Sequence, residues 1–425
     1  MPPKPKAKEE ATPSSIPSRR DVALALRDTF NKKYRGKMTL QSGDQYRMPY
    51  MTKRLRTGLL TLDVELRGGF PAGGLSQIAG PKNSGKSWMY WQVIRQLQKS
   101  LGDKMSVLLA MTEMRADKGQ GRLAGVHVAY ADEDIKAMNR ARLRSGRPEL
   151  TPEQIADMKH QIGTIDELHA ESAEVLFDGI LNAVEVNAYH LIVIDSMGSI
   201  MSAAEAEADS LQQKTYGGSA GVTSQFLRKL CAMITMDDEN GNARDTCILC
   251  VNQVRDAIGD PHREFRSPGG KALEHAKFVD LFVSSGAKRG DEAQPVITPD
   301  GMKKQWLQTG KEVHWRIEKG KAGIHEGGKG SYIYDFDANS ADFESDYLVA
   351  GLRYGVIQSA GAWYTMLDES GEQLLKVCGK DAFTQALADD AAYKEEKGDR
   401  NTLMEQIRRR VYKAVDLDID YDWDY

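Results

Sequence analysis

The sequence predicts an α/β fold built on a mainly parallel, twisted sheet with helices on its faces, and three observations carry that reading. Short apolar segments of strand length alternate along the chain with segments of helical period, the order that a parallel sheet with covering helices requires. A glycine-rich loop, Gly80-Pro81-Lys82-Asn83-Ser84-Gly85-Lys86-Ser87, lies between one such strand and one such helix. A third segment, Leu191-Ile192-Val193-Ile194, is an apolar run that ends in the carboxylate Asp195, where an unpaired buried acid is costly unless it has work to do.

At 425 residues the chain exceeds the usual size of a single core, so one large domain with appendages, or two domains, is expected. A hydrophobic fraction of 41% supports a packed interior. The formal net charge of -4 does not mark the chain as a nucleic-acid binder, yet it averages over an acidic end and leaves room for a basic groove. The four cysteines, Cys231, Cys247, Cys250 and Cys378, are too few and scattered for a disulfide framework and fit a reducing compartment. Cys247 and Cys250 have metal-like spacing, but they fall inside an apolar run without a second ligand pair, which favours buried strand thiols over zinc. Neither an apolar stretch of membrane-spanning length nor a secretory leader is recognisable, and the expectation is a soluble protein of the cell interior.

The elements follow in order. Residues 1–19, rich in Pro, Lys, Ser and Glu, form a mobile arm that cannot bury apolar area. Residues 20–53 carry a docking and oligomerisation helix with Val22, Leu24, Leu26 and Phe30, then a linker. Residues 54–364 form the core. Its strands are Leu75–Ala79, Ser106–Met111, Leu191–Ile194, Thr246–Val251, Phe278–Ser284 and His314–Glu318, and its helices Ser87–Lys99, Glu171–Asn187 and Thr223–Met236. Residues 129–160 stand apart as a charged helical hairpin, where Thr151-Pro152-Glu153-Gln154 supplies a capping box and an N1 proline. Residues 365–415 form a small helical segment, and 416–425 an acidic tail in which acid and apolar residues alternate.

The loop matches G-x-x-x-x-G-K-[ST] at every fixed position. Its glycines let successive N–H groups turn inward on phosphates, and the following helix offers its positive dipole end to the same anions. Lys86 reaches the outer phosphates and Ser87 a magnesium ion. Trp88, Met89, Trp91, Ile94 and Leu97 give the helix its apolar face.

Further motifs in register carry a resemblance. Thr57-Gly58-Leu59-Leu60-Thr61-Leu62-Asp63 and Gly68-Gly69-Phe70-Pro71 lead into the loop, and Glu113 to Val128 follows the second core strand. Val251-Asn252-Gln253-Val254-Arg255 precedes Gly269-Gly270-Lys271-Ala272-Leu273, and Lys319-Gly320-Lys321 and Ala360-Gly361-Ala362-Trp363-Tyr364 come later. Over about Arg54 to Tyr364 the chain resembles the RecA recombinase family in a phage or other divergent version.

The resemblance implies a RecA-like phosphate-loop ATPase core using ATP and Mg2+, with Glu113 as base for the attacking water, Asp195 in the magnesium shell and Asp117 at the nucleotide. Glu133 is a rival base by its acidic surroundings. Gln253 senses the terminal phosphate, and Lys319 and Lys321 reach toward a neighbouring subunit's phosphates. DNA contacts are implied for Arg255, His262, Arg263, Phe265, Arg266, Gly269 and Gly270 in one loop and for Lys214 and Tyr216 in another. At the position after Asp117 where the family stacks a tyrosine on adenine, this chain has Gln120.

The implied activity is ATP-dependent strand exchange in recombination and repair by a helical filament on single-stranded DNA, with duplex DNA as second substrate. Single-strand-binding and mediator proteins are candidate partners, no membrane is involved, and the location is the bacterial cytoplasm, or the host's for a phage protein. A helicase on the same core calls for a leading helical domain, and a branch-migration ATPase for a zinc ribbon and a protease-like tail. A third alternative is an assembly protein switched by ATP without strand exchange.

Overall fold

The computed structural model describes residues 18–34, 49, 53–112, 116–206, 218–238, 241–256, 265–266, 270–298 and 301–417, with backbone alone for 206, 255–256, 265–266, 291–298 and 301–307. The predicted α/β architecture is present. Nine strands form the main sheet: β1 (Gly74–Gly80), β2 (Ser106–Met111), β3 (Thr164–Leu168), β4 (Leu191–Asp195), β5 (Cys247–Gln253), β6 (Lys277–Thr298), β7 (Gly301–Gly320), β8 (Lys329–Asp335) and β9 (Ser340–Ala341). Their order is β9-β8-β7-β6-β1-β5-β4-β2-β3. Every pair from β6 to β3 is parallel, whereas β6 to β9 add by antiparallel pairing.

The central strands read as continuous apolar runs because both their faces are covered. On one face Val107, Leu109, Leu191 and Val193 pack with Trp88, Met89, Trp91 and Ile94 of the helix Lys86–Leu101. On the other, Leu108, Ala110, Ile192 and Ile194 meet Leu176, Phe177 and Ile180 of the helix Ala173–Glu185 and Phe226, Leu227 and Leu230 of the helix Gly218–Ile234. Phe177 and Phe226 stack with centroids 4.1 Å apart. Cys247 and Cys250 are buried thiols on opposite faces of β5, and burial pushes both up to about 12.

β6 and β7 run well past the predicted Phe278–Ser284 and His314–Glu318, as a hairpin whose far end pairs Thr298 with Gly301. The outer half is rich in charged, glycine and proline residues, so the apolar periodicity that identifies the inner half fades along it. The insertion is helical as expected, with helices Asp132–Arg144 and Pro152–Lys159, and the Thr151–Gln154 capping box and N1 proline are formed. The helix Arg19–Lys33 starts at a Ser18–Asp21 capping box and leaves Val22, Leu24 and Leu26 exposed. Among the described residues no helix is long and apolar enough to cross a membrane. Residues 1–17 and 418–425 of the predicted arm and tail lie outside the described residues.

A third apolar cluster joins Tyr347, Leu348, Ile357, Met366, Phe383, Ile407 and Val411 to Leu60 and Val64 of the lead-in helix Leu60–Glu65. It contains a three-stranded antiparallel sheet, Ile357–Ala360, Trp363–Leu367 and Gln373–Cys378, between helices Phe343–Arg353, Lys380–Glu396 and Leu403–Ala414. Two buried carboxyls lie at this junction. Asp63 accepts from Thr57 N (2.7 Å), Thr57 Oγ1 (2.8 Å) and Gly58 N (3.1 Å), and Asp346 accepts from the backbone N (3.2 Å) and hydroxyl of Thr61.

Burial pushes Asp63 up to about 6 and Asp346 up to about 7, against the hydrogen bonds that favour their charged forms. Both therefore hold protons in the folded chain at pH values where the unfolded chain has released them. Their contribution to stability is complete below the ordinary carboxylate range and is lost as pH rises through the folded values. The unfolding temperature of Asp346→Asn should accordingly fall less than wild type's between about pH 5 and pH 8; a calorimetric series with equal slopes for the two proteins would refute the assignment.

Candidate functional site

Register, rather than sequence proximity, assembles the site. Gly80 pairs with Gln253 across β1 and β5, Asp195 with Val251 across β4 and β5, and Met111 with Asp195 across β2 and β4. The carboxyl ends of four neighbouring strands thus form one row, the edge where ligands of open α/β sheets bind. Thr112 pins two of them: its N donates to Asp195 O (3.0 Å), its Oγ1 donates to Ser196 O (2.8 Å) and accepts from Ser196 N (2.9 Å). The Asp195–Ser196 peptide is cis.

The phosphate loop turns at the head of β1. Gly85 sits at φ +102° as N-cap of the helix Lys86–Leu101, in the left-handed region where glycine is the default. Gly80 is required for space, since a Cβ there would lie 2.0 Å from Val283 O. Lys86 Nζ donates to Gly80 O (3.0 Å) and Pro81 O (2.6 Å). Ser84 Oγ is buried, and among the described residues no partner satisfies it. A helix N-terminus, a lysine held by its own loop and an unsatisfied hydroxyl fit a polyphosphate.

The walls include residues that sequence reasoning missed. A pocket of about 270 Å³ is lined by Asn83 to Trp88 together with Gln120, Lys311, Val313, Tyr332, Tyr334 and Phe336. Lys311 Nζ donates to Asn83 O (2.5 Å) and Ser285 Oγ (3.3 Å), and burial lowers its pKa. Trp88 stacks on Tyr332 at 5.2 Å and meets the edge of Tyr334 at 5.5 Å. The signal was present in the sequence: Tyr332, Tyr334 and Phe336 alternate at the strand period, and the register places Val313 opposite Tyr332 and Lys311 opposite Tyr334.

Asp117 is exposed and caps the helix Lys118–Leu123 by accepting from Gln120 N (3.0 Å). Burial, and then the Asp195 and Asp117 carboxylates, raise the pKa of Tyr90 in the phosphate-loop helix. Glu133 is exposed in the first turn of the insertion helix and does not line the pocket. Lys319 Nζ donates to Glu274 O and Lys321 Nζ to His275 O (2.9 Å), so both cations cap the C-terminal end of the helix Gly270–Ala276. Such a position suits positive charge. Beneath Gln253, a buried polar chain runs from Asn252 Nδ2 to Gln77 Oε1 (2.8 Å), from Gln77 Nε2 to Asp280 Oδ1 (2.8 Å), and on to Lys277.

Glu113, Lys214, Tyr216, His262, Arg263 and Gly269 lie outside the described residues. For Arg255, Phe265 and Arg266 only the backbone is described, as an antiparallel pair in which Arg255 faces Arg266. Gly270 starts the next helix at φ +62°.

A parallel sheet with a phosphate loop at one strand end and an acid two strands away defines the class, a phosphate-loop nucleotide-binding protein with a RecA-like core. No family model matches the sequence. Curated relatives do: the chain is 25% identical over 409 residues to Protein RecA of Chlorobaculum parvum, covering 95% of this chain and 96% of that one. It is 27% identical over 362 residues to Protein RecA of a Nocardioides species, covering 83% and 82%. To Protein RecA of Leptospira meyeri it is 26% identical over 424 residues, covering 96% and 92%. The chain is thus similar, at 25–27% identity over most of its length, to proteins named RecA.

Two substitutions test the pocket by titration with a fluorescent adenine nucleotide. Lys86→Ala should weaken binding at least tenfold, about 1.4 kcal/mol. Lys311→Ala removes a half-exposed cation and should cost about 1 kcal/mol, roughly a fivefold change. Unchanged affinity in the second variant would restrict Lys311 to bracing the loop.

Proposed function

We propose that the protein is a DNA-dependent ATPase that polymerises on single-stranded DNA, pairs it with a homologous duplex and exchanges strands in recombination and repair. The observation that carries this reading is the row of strand ends. Gly80 and Gln253 are direct neighbours, and Gln253 begins the segment that runs to Gly270, so an amide able to touch a terminal phosphate lies at the root of a loop that carries three arginines. Similarity to proteins named RecA supports the same reading.

In this reading ATP lies along the phosphate loop, on the amides of residues 83–87. Lys86 exchanges the carbonyls of Gly80 and Pro81 for phosphate oxygens. Ser87 and Asp195 would hold Mg2+, which would supply positive charge to offset that of the phosphates. Glu113 orients the attacking water and takes its proton, and Asp117 serves the nucleotide side of the pocket. The aromatic wall of Tyr334 and Phe336 takes the place of the family's tyrosine at the Gln120 position.

Lys319 and Lys321 act on the pocket of the adjoining protomer. In their own protomer they hold the end of the helix Gly270–Ala276, which follows the DNA loop. Contact of that loop with a polynucleotide therefore changes what the lysines can reach, and turnover depends on DNA because the water is aligned only when both are in place. Arg255, Arg263, Phe265 and Arg266 contact the bound strand, with Gly269 and Gly270 as hinge and Lys214 and Tyr216 in the earlier loop. The exposed Val22, Leu24 and Leu26 of the first helix dock on a neighbour in the filament. Its site of action is the cytoplasm, with single-strand-binding or mediator proteins as loading partners.

ATP hydrolysis should be slow alone and rise at least tenfold with single-stranded DNA, and joint molecules should form with homologous duplex. Hydrolysis at full rate by isolated monomers, indifferent to any oligonucleotide, defeats the proposal; filaments without joint molecules reduce it to an ATP-switched assembly protein. Mixing Lys86→Ala with a Lys319→Ala, Lys321→Ala double variant should restore part of the DNA-stimulated rate that neither has alone, because an intact loop then meets intact lysines across a boundary. Arg266→Ala should keep ATP binding while lowering DNA affinity and its salt slope by about one contact.

A further inference from the structure

The insertion between β2 and β3 carries a charge pattern that the ATPase site does not use. In the helix Asp132–Arg144, Ile135 is buried, Asn139 Oδ1 accepts from Leu150 N (2.9 Å), and Arg142 Nε donates to Pro148 O (2.7 Å). These residues define an inner face. Lys136, Arg140 and Arg144 recur every four residues on the opposite side, about 6 Å apart along the axis, and all three are exposed. From Lys136 to Arg147 there are five cations, Lys136, Arg140, Arg142, Arg144 and Arg147, and no acid.

A merely solubilising helix intersperses charges of both signs. Here the signs are separated. Asp132 is occupied by Lys159 at 2.6 Å, Glu133 and Asp134 lie in the first turn, and Glu149, Glu153 and Asp157 belong to the returning strand of the hairpin. Among the described residues neither Arg140 nor Arg144 forms an ion pair. Leu143 is exposed between them, but one leucine does not make an apolar docking patch.

The arm is held firmly at its base. Arg122 Nε donates to Val128 O (2.9 Å), its Nη2 donates to Ala129 O (2.6 Å), and its guanidinium lies 3.6 Å from the Tyr130 ring centroid. Tyr130 N donates to Met158 O (2.8 Å) and closes the hairpin, while Gln98 Nε2 donates to His127 O (3.0 Å) and Ile162 O (2.9 Å). Gln98 is twelve residues along its helix from Lys86, about 18 Å, so this anchor lies at the end of the helix away from the phosphate loop. Arg122 belongs to the same short helix as Gln120, which lines the nucleotide pocket.

We propose that the Lys136–Arg140–Arg144 face of the insertion is a second nucleic-acid contact, for the phosphate backbone of double-stranded DNA, resting on the reading of the protein as a DNA-dependent ATPase. A row of exposed cations on one helix, of which Arg140 and Arg144 form no ion pair among the described residues, complements a duplex, which presents one negative charge per about 1.7 Å, more densely than a single strand.

The test uses the full chain and the variant Lys136→Ala, Arg140→Ala, Arg144→Ala, with duplex affinity measured by fluorescence anisotropy from about 50 to 200 mM salt. The slope of log affinity against log salt should become shallower by about two to three, at about 0.9 per lost phosphate contact. Hydrolysis stimulated by single-stranded DNA should be retained. Arg140→Lys, Arg144→Lys should keep the wild-type slope, which separates charge from folding. An unchanged slope in the alanine variant overturns the proposal. So does an effect that disappears when residues 416–425 are removed, since the face would then hold the chain's own acidic end. If wild type shows no stimulation by single-stranded DNA, the ATPase reading falls, while the duplex slope still decides the role of this face.

Discussion

The parallel register of β1, β5 and β4 is the constraint on which the site depends. It sets Gly80 beside Gln253 and Asp195 beside Val251, and strands about 4.8 Å apart leave no freedom to bring loop, amide and acid together otherwise. A slip of one residue would turn every side chain to the other face. Burial on both faces makes such a slip expensive: Ile192 and Val193 are neighbours in sequence, yet belong to clusters on opposite sides of the sheet. The apolar runs that build the core therefore also align the chemistry. Gly80 shows how close the fit is, because the carbonyl of Val283 occupies the space of its missing Cβ.

That register also carries a polar cross-link. Asn252, Gln77, Asp280 and Lys277 span β5, β1 and β6 as a buried chain, and Asp280 pairs in register with Lys319 on β7. Asn252 lies beside Gln253, and Asp280 lies opposite Lys319, so this chain ties together the strands on either side of the segment between Val254 and Gly270. Lys319 and Lys321 also hold the end of the helix Gly270–Ala276, so motion of that helix disturbs the lysine contacts directly.

The sequence was legible wherever one segment carried its own signal. The phosphate loop, the apolar run before Asp195 and the Thr151–Gln154 cap are local patterns, and each appears in the structure as its chemistry requires. Pairings between distant segments were not legible. Lys311 reads as one charge in a polar stretch, and only the β7–β8 register and the 2.5 Å contact with Asn83 O bring it to the pocket. The alternating aromatics Tyr332, Tyr334 and Phe336 were visible as a strand face, but which face they cover follows from sheet order. The sheet around Trp363 escaped for another reason. Its strands are short and largely exposed, so their apolar period is weak, and the turn residues Gly361 and Ala362 between the paired Ala360 and Trp363 were the better signal.

The insertion is placed where the fold can accept it. A parallel pair needs a long crossover connection in any case, and β2 and β3 are the outermost parallel pair, with β3 at the sheet's edge. Extra residues there leave the register of β1, β5 and β4 untouched, and loop-closure entropy grows only slowly with length. The same connection begins at Thr112, which pins Asp195, and passes through the helix that carries Gln120 before reaching Arg122 and the arm. An appendage at this position can thus be large, project its own surface and still be fastened to the pocket wall, whereas additions between β1, β5 and β4 would have to preserve the alignment that makes the site.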